Sequence, residues 1–200
     1  INVGRQIGSG GRVIAMMLAE EFGCKFYVME LLNLAAKESG FSEKLYEQNA
    51  ERYCSLKSLC HVRVPLMGES NFYKDNFSQD SLYKFQSDAI KKVADEGSCV
   101  FVGRTADYVL RDYKNTVSVF ITANIDQRIQ AVCKRHGFDR AAARKYIHSQ
   151  EETRASYYNY YTGKTWGHSE SYDLCVNSSL LGLEGTEKFI AEFIKTRFDL

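Results

Sequence analysis

The sequence predicts an α/β fold in three layers, with a parallel sheet covered by helices on both faces. Two observations predict it. Short apolar segments alternate along the chain with longer segments of helical periodicity. The connections between successive strands are long enough to contain a crossover helix, which favours parallel strands. A glycine-rich loop stands between the first strand and the first helix, at the edge where such sheets bind ligands.

The N-terminal elements follow from apolar spacing and glycine stops. A short strand reaches Val3, a glycine loop covers residues 4–11, and a helix continues to about Phe22, with Gly23 as its stop. The segment "KFYVM" predicts a second strand, and "ELLNLAAKES" predicts a helix that ends at Gly40.

The middle of the chain begins with residues 41–78, which are polar, rich in tyrosine and without steady periodicity. We expect an insertion there. The segment "DSLYKFQSDAIKKVADEG" then predicts an amphipathic helix, "SCVFVGR" a buried strand, and "TADYVLRD" a short helix.

The C-terminal part continues the alternation. The segment "TVSVFITA" predicts a strand and "NIDQRIQAVCKRHG" a helix. A long polar helix is expected over 139–160, a fifth strand at "YDLCVNSS", and a final amphipathic helix from about Leu183 to Arg197.

Composition narrows the class of protein. Hydrophobic residues make up 44%, charged residues 26%, and the net charge is +1, so we expect neither a nucleic-acid partner nor a membrane partner. The apolar runs are shorter than the ~20 residues of a membrane span. Six cysteines lie scattered, several in apolar runs, which predicts buried, reduced thiols and a cytoplasmic location.

The glycine loop predicts a phosphate site. Backbone N–H groups there approach an anion closely, and the following helix adds partial positive charge; the residues concerned are Gly8, Ser9, Gly10 and Gly11. A typical P-loop continues with Lys and Ser or Thr, but Gly11 and Arg12 stand at those positions. Arg12 or Arg5 is the candidate replacement cation. The alternative interpretation is a plain glycine turn.

Two further groups of residues suggest phosphate chemistry. Arg104 follows a buried strand directly, with Asp107 nearby; these suit a second phosphate and a substrate hydroxyl, or else a helix-capping turn with a surface ion pair. Arginines in the second half suit a transferring phosphoryl group, or else a solvated helix face; they include Arg128, Arg135 and Arg154. No spacing of metal ligands is found, so we predict no metal-binding residues.

These segments, taken together, resemble the cytidylate-kinase-like family, a divergent branch of the P-loop nucleoside monophosphate kinases. The resemblance rests on "GRQIGSGGRVIA", "LLNLAAKESGFSE", "GSCVFVGRTADYVL" and "RASYYNYYTGKTWG" in the family's order. It implies a P-loop NTPase fold with a five-stranded parallel sheet. It also implies transfer of the γ-phosphate of ATP to a nucleoside monophosphate, best CMP, with Mg²⁺.

The resemblance also implies an organisation and a set of roles. A single domain would comprise a core (1–40, 79–138 and 170–200), an acceptor-binding insertion (41–78) and a lid (139–169). Residues 8–12 match the donor-phosphate loop, and Gly103 with Arg104 match the acceptor-phosphate site. The expected catalytic residues are Arg12, Arg128, Arg135 and Arg154. Glu151 occupies the acidic position of the D-x-x-R motif and is expected at the acceptor.

One departure from the family bears on the acceptor. Val28 stands where relatives carry an acidic residue. Two alternatives to a nucleotide kinase therefore remain open: a non-catalytic nucleotide- or phosphate-binding module of the same fold, and a kinase of another small molecule.

Overall fold

The computed structural model describes residues 1–28, 79–103 and 105–200. Its strands form a five-stranded, wholly parallel sheet. They are β1 (Asn2–Arg5), β2 (Lys25–Tyr27), β3 (Cys99–Val102), β4 (Ser118–Thr122) and β5 (Leu174–Asn177). Their order across the sheet is β2-β3-β1-β4-β5. The predicted parallel α/β fold is therefore confirmed.

The helices alternate with these strands as the sequence predicts. They are α1 (Gly11–Glu21), α2 (Gln79–Glu96), α3 (Ala106–Val109), α4 (Ile125–His136), α5 (Arg140–Thr162) and α6 (Ser178–Phe198). Asp139 caps the start of α5 by accepting a hydrogen bond from the Ala142 amide at 2.7 Å, and Gly163 ends it in the left-handed conformation. None of the helices in the described ranges is long and apolar enough to cross a membrane.

Helix α6 consists of two helical parts joined at a kink: a short turn that begins at Ser178, and the longer helix that follows Gly182. The Asn177 side chain accepts a hydrogen bond from the Ser179 amide at 3.0 Å, which caps the extra turn. Gly182 interrupts the helical backbone with φ 68° and ψ −177°. The helix predicted from about Leu183 to Arg197 is therefore confirmed, and the short turn before the kink was not predicted.

One face of the sheet carries the main apolar core, which α1 and α6 cover. Its buried members come from β1, β3, β4, β5, α1 and α6, and include Val3, Val100, Val119, Ile121, Val176, Ile14, Leu18, Ile190 and Ile194. Because strand residues alternate between faces, Phe120 points the other way and contacts Tyr172, with ring centroids 4.8 Å apart, and Trp166, at 5.2 Å.

The sequence alone allows two roles for the four tyrosines of α5 (Tyr157, Tyr158, Tyr160 and Tyr161): stacking on a nucleobase, or packing this helix onto the body. Tyr158 is buried and stacks on Tyr172, as the packing interpretation predicts. Tyr160 is 74% exposed, with its ring against Tyr161. The four tyrosines of the motif therefore do not share one role.

The described cysteines are free thiols, as expected, but they are not uniformly buried. Cys99 in the inner strand β3 is buried, whereas Cys175 is exposed. Cys175 lies in β5, an edge strand of the sheet, so part of its surroundings is solvent. The prediction of burial is wrong for this residue.

The chain divides into two compact units, Ile1–Val28 with Val93–Leu200, and Met29–Lys92. The first unit contains the whole sheet and the segment predicted as a lid, 139–169, whose role as a lid stays a prediction. The predicted insertion at 41–78, the predicted helix at 30–39 and Arg104 lie outside the described residues.

Candidate phosphate-binding site

The glycine loop connects β1 to α1 at the carboxyl edge of the sheet. Gly8 and Gly10 adopt left-handed backbone conformations, with φ 81° and 76°. A Cβ on Gly8 would also lie 2.7 Å from the Arg128 carbonyl oxygen, which is closer than any side chain can pack. Ser9 is buried, and its hydroxyl donates to the Gln6 carbonyl at 2.9 Å. The loop is therefore a tight, internally bonded turn.

The same turn leaves backbone donors available. Within the described part of the chain, no hydrogen-bond acceptor contacts the amides of Gly8, Gly10, Gly11 and Arg12. The first amides of a helix have no partner inside it, and the helix dipole gives this end partial positive charge. These amides suit an anionic oxygen such as those of a phosphate chain.

Arg5 occupies the space that a P-loop lysine side chain would need. A Cβ on Gly11 would lie 2.6 Å from Arg5 Cβ and 3.1 Å from Arg5 Cγ. The Arg5 guanidinium reaches Gly103, where its Nη1 occupies the space that a Cβ on Gly103 would need. Gly11 and Gly103 thus let one arginine side chain run from the phosphate loop to the end of β3. The absence of a lysine at position 11 and the presence of Arg5 are therefore linked, because the two side chains would need the same space.

The other two predicted cations, Arg12 and Arg135, are exposed. Arg12 is the second residue of α1, next to the loop amides, and Arg135 is in the last turn of α4. Both are accessible to an anion. The structure does not test whether either binds phosphate.

Arg128 and Glu151 meet each other and hold the loop backbone. The Arg128 side chain is 6% exposed; its Nη2 pairs with Glu151 Oε1, and its Nε donates to the Ile7 carbonyl at 2.9 Å. The Ile7 amide donates to the same Glu151 oxygen at 3.2 Å. Arg128 and Arg135 lie two turns apart on α4, yet only the former is buried. Contact of Arg128 with a transferring phosphoryl group, and of Glu151 with an acceptor, stay predictions.

Arg154, also on α5, reaches the neighbouring peptide. Its Nη1 donates to the Arg5 carbonyl at 3.0 Å. The predicted D-x-x-R residues, Glu151 and Arg154, therefore both lie at the base of the phosphate loop, one turn apart on α5. Their spacing in sequence is what brings them to adjacent peptides.

The Asp107 side chain contacts helix α5. The Tyr158 hydroxyl donates to Asp107 Oδ2 at 2.6 Å. Burial raises the pKa of Asp107, and the hydrogen bond from Tyr158 opposes that shift. Burial also raises the pKa of Tyr158, and the neighbouring Asp107 raises it further. The predicted acceptor role of Asp107 is untested, and the described contact ties α3 to α5.

A polar network that sequence analysis did not resolve joins the loop to β4 and β5. The Ser178 hydroxyl donates to the carbonyls of Ser9, at 2.8 Å, and Thr122, at 3.0 Å. Beside it, the Asn124 amide donates to the Ser179 hydroxyl at 2.8 Å. The signal was present as the "NSS" triplet after the last strand, but its partner in the loop was not predictable from spacing.

Comparison with known proteins decides the family. A family model described as the cytidylate kinase-like family matches residues 1–180. The chain belongs to the cytidylate kinase-like family. This confirms the resemblance inferred from the sequence motifs and assigns the chain a kinase-like function in a broad sense. A search of curated proteins gave no match.

Solved structures agree with this fold. The chain is similar to a crystal structure of an uncharacterized protein from Eubacterium ventriosum, with 26% identity, a TM-score of 0.72, and coverage of 97% of this chain and 96% of that one. It is also similar to shikimate kinase from Bacteroides thetaiotaomicron, with 11% identity, a TM-score of 0.53 and 97% coverage of both chains. The second likeness shows a shared kinase-type fold alone.

Proposed function

We propose that this member of the family is a phosphotransferase that moves the γ-phosphate of ATP to a nucleoside monophosphate, with CMP as the first acceptor to test. One observation supports this most: the Arg5 side chain crosses Gly11 and ends at Gly103. A cation placed between the donor loop and the predicted acceptor turn is what phosphoryl transfer between them requires.

The roles follow from this placement. The loop amides and Arg12 would hold the donor phosphates, and Gly103 with Arg104 would hold the acceptor phosphate. Arg5, Arg135 and Arg154 would lie around the transferring group. Catalysis would come from positioning and from stabilisation of charge on the transferred oxygens, without a covalent intermediate on the protein.

The residues present fit a phosphate chain better than they fit a resident metal. Available amides and arginines suit phosphate oxygens. Among residues 1–28, 79–103 and 105–200, no group of three His, Cys, Asp or Glu is placed to hold a metal ion. The Ser9 hydroxyl donates inward, to Gln6. Mg²⁺, which the family implies, would neutralise part of the charge of the nucleotide phosphates.

The test is phosphoryl transfer by the purified chain with ATP and Mg²⁺ against CMP, dCMP, UMP, AMP and GMP, with nucleoside diphosphates separated by chromatography. Arg5→Met and Arg104→Ala are expected to abolish turnover or raise the acceptor KM strongly. Arg140→Met is the control, because Arg140 pairs with Asp126 on the surface, with both side chains more than two thirds exposed. Equal activity of Arg5→Met and Arg140→Met would refute the assigned role of Arg5.

A second candidate is a nucleotide- or phosphate-binding module without turnover. Gly11 and Arg12 favour it, because a P-loop kinase has a lysine and a Ser or Thr hydroxyl at these two positions, and the hydroxyl of the nearby Ser9 donates inward. ATP binding by calorimetry, without transfer to any acceptor, would support this candidate. A panel that includes small-molecule alcohols, shikimate among them, tests the third candidate, a kinase of a non-nucleotide acceptor.

A further inference from the structure

The backbone of Ile7 is held at its amide and at its carbonyl by side chains of two helices. Its carbonyl accepts from Arg128 Nε at 2.9 Å, and its amide donates to Glu151 Oε1 at 3.2 Å. Arg128 and Glu151 also pair with each other. Ile7 immediately precedes Gly8, whose left-handed conformation directs the loop toward α1. The orientation of the loop amides therefore depends on these two contacts.

The surroundings of the Arg128–Glu151 pair indicate that its charges interact with other groups of the protein rather than with a ligand. The Arg128 side chain is 6% exposed and that of Glu151 20%. A cation that meets substrate in solution needs accessible donors, but two donor atoms of Arg128 are already committed. Removing one member would leave the other as an unpaired charge with little access to water. By contrast, the Arg140 and Asp126 side chains pair on the surface, where both are more than two thirds exposed to water.

We infer that Arg128 and Glu151 are positioning residues that set the conformation of the phosphate loop, and that neither binds substrate. The pair links α4 and α5 to the loop through the backbone of one residue, Ile7. Arg154 supports the same end of the loop through the Arg5 carbonyl. The consequence for donor affinity rests on the proposed phosphotransfer, whereas the consequence for loop conformation does not.

The experiment measures amide hydrogen exchange by NMR in Glu151→Ala, Glu151→Gln and the control Glu152→Ala, all without ligand. Glu152 is the next residue on α5 and pairs with His148 on the surface. We expect exchange at the Ile7 amide, which donates to Glu151, to rise by about tenfold or more in Glu151→Ala, the factor for one lost charge-assisted hydrogen bond. Exchange at Phe101 and Ile121 in the sheet is expected to stay unchanged.

Glu151→Gln keeps an oxygen that accepts from the Ile7 amide, so a smaller rise is expected, and this variant serves if Glu151→Ala does not fold. Unchanged exchange at Ile7, or an equal rise throughout the sheet, would overturn the inference. The Glu152→Ala control is expected to match the unmodified chain at every amide.

Kinetics separate positioning from substrate binding. If the loop is set by the pair, Glu151→Ala raises the ATP KM or Kd by about tenfold and leaves the acceptor KM unchanged. A raised acceptor KM with unchanged loop exchange would overturn the inference and make Glu151 an acceptor ligand. If the unmodified chain neither binds nor uses ATP, the proposed function fails, while amide exchange still decides the role of the pair.

Discussion

Replacing Gly11 by alanine tests whether Arg5 fills the space that a P-loop lysine would need. The new Cβ would lie 2.6 Å from Arg5 Cβ, 3.1 Å from Arg5 Cγ and 3.4 Å from Ile121 Cβ. Overpacking of this kind costs about 1–3 kcal/mol, while alanine gains up to about 1 kcal/mol of helix propensity over glycine. We expect Gly11→Ala to lower the free energy of unfolding by up to about 2 kcal/mol, the difference between these terms.

The effect of Gly11→Ala on the free energy of unfolding is expected to reverse when Arg5 is replaced by glycine. Both short contacts then disappear, and the remaining contact with Ile121 is an ordinary van der Waals distance. In the Arg5→Gly background, Gly11→Ala should raise the free energy of unfolding by up to about 1 kcal/mol. The coupling energy between the two positions is therefore about 1–3 kcal/mol.

Urea unfolding of the four proteins measures this coupling. Gly185→Ala in α6 is the control. Among the described residues its Cβ would meet Leu181, at 3.1 Å, and not Arg5, so its effect should be the same with and without Arg5. A coupling energy below about 0.5 kcal/mol, the range of independent sites, would refute the proposed packing of Arg5 across Gly11.

Further predictions concern the contacts around the loop and α5. Ser178→Ala loses two hydrogen bonds and should lower the free energy of unfolding by about 1–3 kcal/mol, against no measurable change for the exposed Ser156→Ala, in urea titrations. Tyr158→Phe removes the donor to Asp107 and should cost about 1–3 kcal/mol at pH 7, measured in the same way. Because burial raises the pKa of Asp107, the stability of the unmodified chain should fall relative to Asp107→Asn as the pH rises above about 3.9, the pKa of an unfolded aspartate. A difference that does not vary with pH would contradict this.

The element order was predictable because local patterns determine it. The helix expected at 139–160 is observed as Arg140–Thr162, since apolar periodicity, Asp139 and Gly163 all act within a few residues. The last helix was predicted from about Leu183, directly after the kink at Gly182, whereas the short turn from Ser178 that precedes the kink was not predicted. Local rules fail where the backbone departs from the regular element they assume.

The site was only partly predictable because its contacts are distant in sequence. Arg128 was recognised as a phosphate-site candidate, but its partner Ile7 is 121 positions away, and no spacing rule connects them. The passage of Arg5 across Gly11 depends on the spacing of β1 and α1. A pattern of residue types predicts that charges gather at the sheet edge, whereas packing determines which of them face each other.

The close approach of Gly8 to the Arg128 backbone has a consequence for comparing sequences. Any other residue at position 8 would meet both an unfavourable φ of 81° and a carbonyl oxygen 2.7 Å from its Cβ. Selection for a stable fold alone would keep this glycine, even in a descendant that has lost its ligand. Invariance at position 8 among homologues would therefore carry no information about nucleotide binding.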